Sequence, residues 1–144
     1  MKTVEKSVLI WFTAQEMFDL VVDVASYPAF LPWCDQTEII ATEEHGMTAR
    51  IGMAFGGLHK SFTTHNTHQP GRQVQLQLID GPFKHLEGVW NFIPLGDEQA
   101  CRVELKLSYS FDSMFGALVG PVFDKIASTL VDAFVKRAEA VYPR

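Results

Sequence analysis

The stretch Asp80-Gly81-Pro82-Phe83-Lys84-His85-Leu86-Glu87-Gly88-Val89-Trp90 brings two acids, a histidine, a lysine and an indole together. In an extended strand, alternation puts His85 and Glu87 side by side on one face, a spacing compatible with proton exchange between an imidazole and a carboxylate. Leu86, Gly88, Trp90 and Phe92 then share the other face. The turn chemistry ahead of the strand argues for a blander role. Asp80 can bond its own downstream backbone, and Gly81 and Pro82 set unusual dihedrals, so these charges fall at a corner where solvated side chains are ordinary. A solvent-facing His and Glu beside a turn is the reading these residues favour, with Gly88 leaving room for a ligand or a bulge.

His59, His65 and His68 invite a metal reading, but it fits poorly. In a strand, 59 and 65 share a face about 20 Å apart while 68 points the other way, and a metal needs its ligands near 2 Å. Cys34 and Cys101 stand in no CxxC pattern and read as buried reduced thiols. No Ser-His-Asp or Cys-His arrangement has a recognisable context.

The chain has 144 residues, 47% hydrophobic and 20% charged, with a net charge of −5. That is the size and composition of one globular domain over 1–144. Twelve basic residues against seventeen acidic ones exclude a general nucleic-acid binder. No apolar run approaches the roughly 20 residues of a membrane span. The opening MKTVEKSVLIW has no signal-peptide hydrophobic region, so a cytoplasmic address is expected.

Residues 2–11 alternate and read as a strand. Thr13 and Glu16 form a capping box for a helix over about 14–24. Pro28 and Pro32 leave space for at most one turn, starting near Pro28. From Thr37 to Phe111 the pattern is six strands separated by turns. The clearest strand puts Cys101, Val103, Leu105, Leu107, Tyr109 and Phe111 on one face. Leu118, Val119, Val122, Phe123, Ile126, Leu130, Val131, Phe134, Ala138 and Val141 then recur at helical spacing, with Lys125, Asp132, Lys136, Arg137 and Glu139 on the wet side. Gly120-Pro121 implies a kink or a true start near Pro121. The fold class is therefore α+β: a curved antiparallel sheet wrapped around a long C-terminal helix.

This order, with its local motifs, resembles the START-like helix-grip superfamily, in the group holding coenzyme Q-binding proteins and the bacterial ribosome association toxins. The matching residues are Tyr27-Pro28-x-Phe30-Leu31-Pro32-x-Cys34, Phe62-Thr63-Thr64, Asp80-Gly81-Pro82-Phe83-Lys84-x-Leu86, Trp90-x-Phe92-x-Pro94-Leu95, Cys101-Arg102-Val103 and Ala133-Phe134-x-x-Arg137-Ala138. The series is ordered and spans essentially the whole chain. The resemblance implies a binding protein without established catalysis, holding a lipid-like molecule between sheet and helix. In the respiratory branch that molecule is ubiquinone, delivered in transient contact with a membrane. In the toxin branch the partner is the large ribosomal subunit. A cyclase or dehydrase label follows from polyketide enzymes of the same fold and is analogy alone. The chain lacks the presequence of mitochondrial members, so a bacterial protein is expected.

No metal or redox cofactor is needed under this reading; the ligand is ubiquinone or a similar prenylated quinone. Its walls are expected from Met53, Phe55, Phe62, Leu76, Leu78, Phe83, Trp90 and Phe92 on strands. Phe115, Val119, Phe123, Ile126 and Leu130 would add the helix side, with donors from Tyr27, Trp33 or Trp90. The residues themselves leave a filled core and a lined cavity open, since both need inward apolar side chains. Arg50, Lys60, Arg72, Lys125, Lys136, Arg137 and Arg144 could meet rRNA, although a scattered solvated surface suits the acidic balance better.

Overall fold

The computed structural model describes residues 1–55, 57–96 and 99–143. Strand β1 (Lys2–Ile10) leads into helix α1 (Ala14–Val22). Thr13 caps α1 by accepting from the Glu16 amide at 3.0 Å, and the Glu16 carboxylate accepts from the Thr13 amide at 2.9 Å. This is the capping box read from the sequence, and α1 ends two residues earlier than expected. A 3₁₀ helix follows over Val24–Ala29 with Pro28 inside it, so the turn precedes Pro28 rather than starting there. Its backbone bonds run from Ser26 to Asp23 and from Phe30 to Tyr27, and the missing N–H of Pro28 falls between them.

Six strands follow: β2 (Cys34–Glu43), β3 (Gly46–Phe55), β4 (Leu58–Gln69), β5 (Gln73–Asp80), β6 (Phe83–Leu95) and β7 (Ala100–Phe111). They form one antiparallel sheet in the order β1-β7-β6-β5-β4-β3-β2. The two strands at the edges, β1 and β2, are thus consecutive in the chain, and α1 with the 3₁₀ helix carries the backbone from one edge to the other. The side chain of Phe55 and all of Arg144, both named above, lie outside the described residues.

The expected alternation holds on β7, where Cys101, Val103, Leu105, Leu107 and Tyr109 are buried and Phe111 is partly so. On β6, Leu86, Trp90 and Phe92 are buried. Phe83 joins them despite its opposite parity, because a register shift between Phe83 and His85 turns it inward. At the preceding corner Gly81 has φ +148°, and a side chain there would meet Phe62. Asp80-Gly81-Pro82 is therefore a shaped corner, as its residue types indicated.

Helix α2 runs unbroken over Ser113–Val141, 29 residues, or roughly 44 Å at 1.5 Å per residue. The expected start near Pro121 is overturned. Ala117, whose carbonyl loses its helical partner to Pro121, and Pro121 itself are both exposed, so water can satisfy the freed carbonyl. By length and hydropathy α2 would also pass for a membrane span, but its buried residues form one stripe: Phe115, Val119, Phe123, Ala127, Val131, Phe134 and Ala138. Leu118, Val122 and Val141, expected in that stripe, are exposed.

Two clamps hold α2. Near its C-terminus, the Tyr142 hydroxyl donates to the Glu16 carbonyl at 2.8 Å. Nearer its start, Asp124 accepts from the Tyr109 hydroxyl at 2.6 Å and pairs with Lys2, joining α2 to β7 and β1. Burial on its own would raise the Asp124 carboxyl, but the hydrogen bonds from Lys2 and Tyr109 outweigh it and hold the group below its ordinary value.

Two outcomes are expected. A Cβ at Gly120 would enter open space, so Gly120→Ala should raise the free energy of urea unfolding by roughly 0.5–1 kcal/mol through helix propensity alone. Because the folded-state pKa of Asp124 is lowered, its contribution is complete above the ordinary carboxylate range and is lost as pH falls through the folded value. Urea titrations from about pH 5 to about pH 3 should therefore show a smaller decline in Asp124→Asn than in the wild type.

Candidate ligand cavity between helix and sheet

Between α2 and the inward face of the sheet lies a hollow of about 90 Å³. Val24, Tyr27, Leu31 and Trp33 line it from the 3₁₀ helix and the loop after it; Ile51 comes from β3, Phe62, Thr64 and Asn66 from β4, and Leu76 from β5. Leu86 and Trp90 come from β6, Leu107 from β7, and Phe123, Ile126, Ala127, Leu130 and Phe134 from α2. Pockets for drug-sized ligands start near ~300 Å³, so a ring system enters only if walls part. Trp33, Phe62, Ile126 and Leu130 keep partial exposure, which makes the outer wall here one of side chains rather than backbone.

Eight of the expected residues line the hollow: Tyr27, Trp33, Phe62, Leu76, Trp90, Phe123, Ile126 and Leu130. Of the others, Phe83, Phe92 and Phe115 stand behind it, because aromatic packing claims them. Phe83 stacks on Phe111 at 5.0 Å and meets Phe115 at 6.5 Å, closing the end of the hollow near the start of α2. Phe92 lies parallel to Trp90 at 6.2 Å and edge-on to Phe18 at 6.0 Å. Met53 and Val119 are fully packed core, and Leu78 packs against that core from its margin. Gly88 leaves no free space: Leu107 and Leu76 fill the place a side chain would take, and the bulge of β6 lies at Phe83 instead.

The donors also rearrange. The Tyr27 hydroxyl already donates to the Val21 carbonyl at 2.5 Å, and burial pushes its pKa up, so it fixes the 3₁₀ helix instead of facing a guest. Thr64 and Asn66, 5% and 6% exposed, were missed. The Thr64 hydroxyl donates to Asn66 Oδ1 at 2.8 Å. Their signal was present in the sequence as two polar residues at the inward parity of Phe62. The lining residues Val24, Leu31, Ile51, Leu86, Leu107, Ala127 and Phe134 were passed over as plain core.

The acid–base pair is real, but it faces away from this hollow. His85 Nε2 and Glu87 Oε1 are 3.3 Å apart, near enough for an ion pair though not aligned as a hydrogen bond. Their neighbours Leu86 and Trp90 line the hollow, so alternation turns the pair to the opposite side of the sheet, out of reach of a molecule inside. A larger open depression of about 390 Å³ lies on that opposite side, lined by His65, Thr67, Gln75, Gln77, Glu87, Val89, Lys106 and Ser108 over a floor at Leu76 and Gly88. Its mixed, open walls give an apolar guest less hydrophobic gain than the apolar hollow does.

The remaining histidines separate. His59 lies 3.1 Å from Asp35 and His65 2.8 Å from Glu43, while His68 sits edge-on to Phe18 at 5.9 Å with its pKa lowered by burial. Among the described residues, no three His, Cys, Asp or Glu side chains come together as metal ligands. Both thiols are buried and free, and burial first, then Asp35 for Cys34 and Glu16 for Cys101, pushes each up to about 11. They are neutral, unreactive fillers at neutral pH.

Residues 10–135 match the family described as polyketide cyclase/dehydrase and lipid transport. The chain is 45% identical to the ribosome association toxin RatA of Vibrio cholerae, over 99% of both chains. It is 29% identical to the mitochondrial coenzyme Q-binding protein COQ10 homolog B of Xenopus laevis, over 96% of this chain and 59% of that one. Among solved structures, the Zhui aromatase/cyclase of a Streptomyces superposes with a TM-score of 0.82 at 17% identity, covering 96% of this chain and 93% of that one. A START superfamily protein of Mycobacterium smegmatis gives 0.76 at 21%, covering 96% and 98%. At those identities the two structures show the fold alone. The chain belongs to the polyketide cyclase/dehydrase and lipid transport family, among relatives named RatA and coenzyme Q-binding protein.

Proposed function

We propose that this protein binds an apolar small molecule and carries or sequesters it in support of respiration, with ubiquinone or a similar prenylated quinone as the guest. The observation that carries this reading is the apolar hollow between α2 and the sheet, with two buried polar side chains on one wall. A prenyl tail gains about 0.8 kcal/mol for each CH₂ buried against such walls, and a quinone ring supplies two carbonyl acceptors. The likeness to a coenzyme Q-binding protein adds support. Entry requires Trp33, Phe62, Ile126 and Leu130 to swing outward, and the guest's differential affinity for the opened form drives that change. The reading needs no metal or redox cofactor. It puts the protein in the cytoplasm, touching a membrane transiently during delivery.

A second reading rests on a separate observation, the name RatA borne by relatives 45% and 41% identical over nearly the whole chain. Under it, the protein associates with the large ribosomal subunit and hinders subunit joining. Of the cations named for such a surface, Arg50 is engaged with Glu38, and Arg137 lies over the Phe30 ring at 5.0 Å. The cyclase-type reading has weaker support, because the His85–Glu87 pair and the hollow occupy opposite sides of the sheet.

Organic extraction of protein purified from its native host, followed by mass spectrometry, is expected to release a prenylated quinone in near-stoichiometric yield. Ala127→Leu, which adds three carbons to the hollow from a fully buried position, should abolish that yield while unfolding stays cooperative. Repeated absence of quinone from the wild type would overturn the carrier reading. Co-sedimentation with large ribosomal subunits at low salt, where charge attraction is strongest, checks the second reading, and failure there ends it.

A further inference from the structure

We infer that the side-chain amide of Asn66 recognises the head of the guest, and that the cavity selects apolar molecules bearing a carbonyl acceptor over hydrocarbons. This rests on the apolar-ligand reading above and deepens it. Asn66 is 6% exposed and lines the hollow, and its cross-strand partners are Met47 on β3 and Leu76 on β5. Both of those neighbours are apolar, and an amide only partly satisfied in such a setting costs free energy. The Thr64 hydroxyl donates to Asn66 Oδ1 at 2.8 Å, which holds the amide plane and leaves its N–H₂ donors as the unused end. That is the only side-chain hydrogen bond Asn66 makes among the described residues. Thr64 is itself 5% exposed, so the pair is built into the wall instead of hanging from its rim.

The chemistry of the pair defines the guest. Two N–H donors on the wall of an apolar chamber match a ring carbonyl, and burying that carbonyl against apolar side chains alone would leave it unpaired. Oxygen-free chains gain nothing from the amide. Position defines the orientation: Asn66 is deep, whereas Phe62 and Ile126 are partly exposed, so the head enters first and the tail leaves past those two side chains. Retaining a polar group that the core does not need is the trade of stability for function expected at a binding site.

The test measures displacement of an environment-sensitive naphthylamine probe by two ligands. One is a ubiquinone with a short prenyl tail; the other is an isoprenoid hydrocarbon of equal tail length with no oxygen. Wild type should bind both. Asn66→Leu should weaken the quinone about tenfold, the loss of one buried hydrogen bond, and leave the hydrocarbon unchanged or tighter. Its thermal midpoint should equal or exceed that of the wild type, whereas a purely structural amide would lower it on removal. Asn66→Ala, which cannot overpack the wall, gives the same readout if the leucine variant fails to fold. Equal losses for both ligands, or no loss for the quinone in either variant, would overturn the assignment and leave the carrier reading in place. Wild type binding neither ligand would sink the carrier reading and this inference with it.

Discussion

A helix of 29 residues laid against seven twisted strands must bury an apolar stripe along a surface that bends away from it. The contact is tight at two places. Near the start of α2, Phe83, Phe111, Phe115, Tyr109 and Phe123 pack with ring centroids 4.8 to 6.5 Å apart. Further along, Phe134 meets Trp90 at 5.2 Å, Tyr27 at 5.6 Å and Phe30 at 5.1 Å. These rings set the distance between helix and sheet. Between them the helix offers Ala127 with Ile126 and Leu130, side chains too short to fill the gap the rings hold open. The hollow is a consequence of that spacing, and the carrier reading of this protein depends on it.

Strand alternation then divides the chemistry of the molecule in two. The inward face carries apolar side chains with Thr64 and Asn66 among them. The outward face carries His65, Glu87 and Lys106, groups able to exchange protons or charge. One strand cannot present both sets to one guest, since neighbouring residues point to opposite sides of the sheet. The inside suits holding better than reacting. Its thiols are raised by burial, its phenol is already bonded to backbone, and its strongest polar feature is a neutral amide. At 17% identity the likeness to an aromatase/cyclase is one of architecture, and a shared architecture does not transfer an activity.

The anchoring of α2 differs along its length. Tyr142 fastens one end to α1, and Asp124 fastens the helix to β1 and β7 about three turns from the other end. Beyond Asp124 toward the start lie Gly116, Gly120 and Pro121, with Met114 and Leu118 exposed. This part of the helix has one missing hydrogen bond at Pro121, while Phe115, Val119 and Phe123 keep its inner side buried. The outer wall of the hollow, at Ile126 and Leu130, follows immediately after it.

The sequence by itself determined the element order, the capping box at Thr13 and the inward face of β7, because each follows from local periodicity and turn chemistry. It also placed His85 beside Glu87, and named Tyr27, Trp33, Phe62, Leu76, Trp90, Phe123, Ile126 and Leu130 as inward-facing. It did not reveal which inward residues pack ring against ring and which face a gap. Phe83 and Trp90 look alike as a pattern, and only the register shift and the aromatic contacts make one a plug and the other a wall. Tertiary structure likewise decided that Pro121 sits inside a helix, since solvent at Ala117 tolerates what propensity forbids. It decided that the Tyr27 hydroxyl is bonded to backbone while Asn66 is bonded through its oxygen alone, because hydrogen-bond satisfaction depends on how the folded backbone places each side chain.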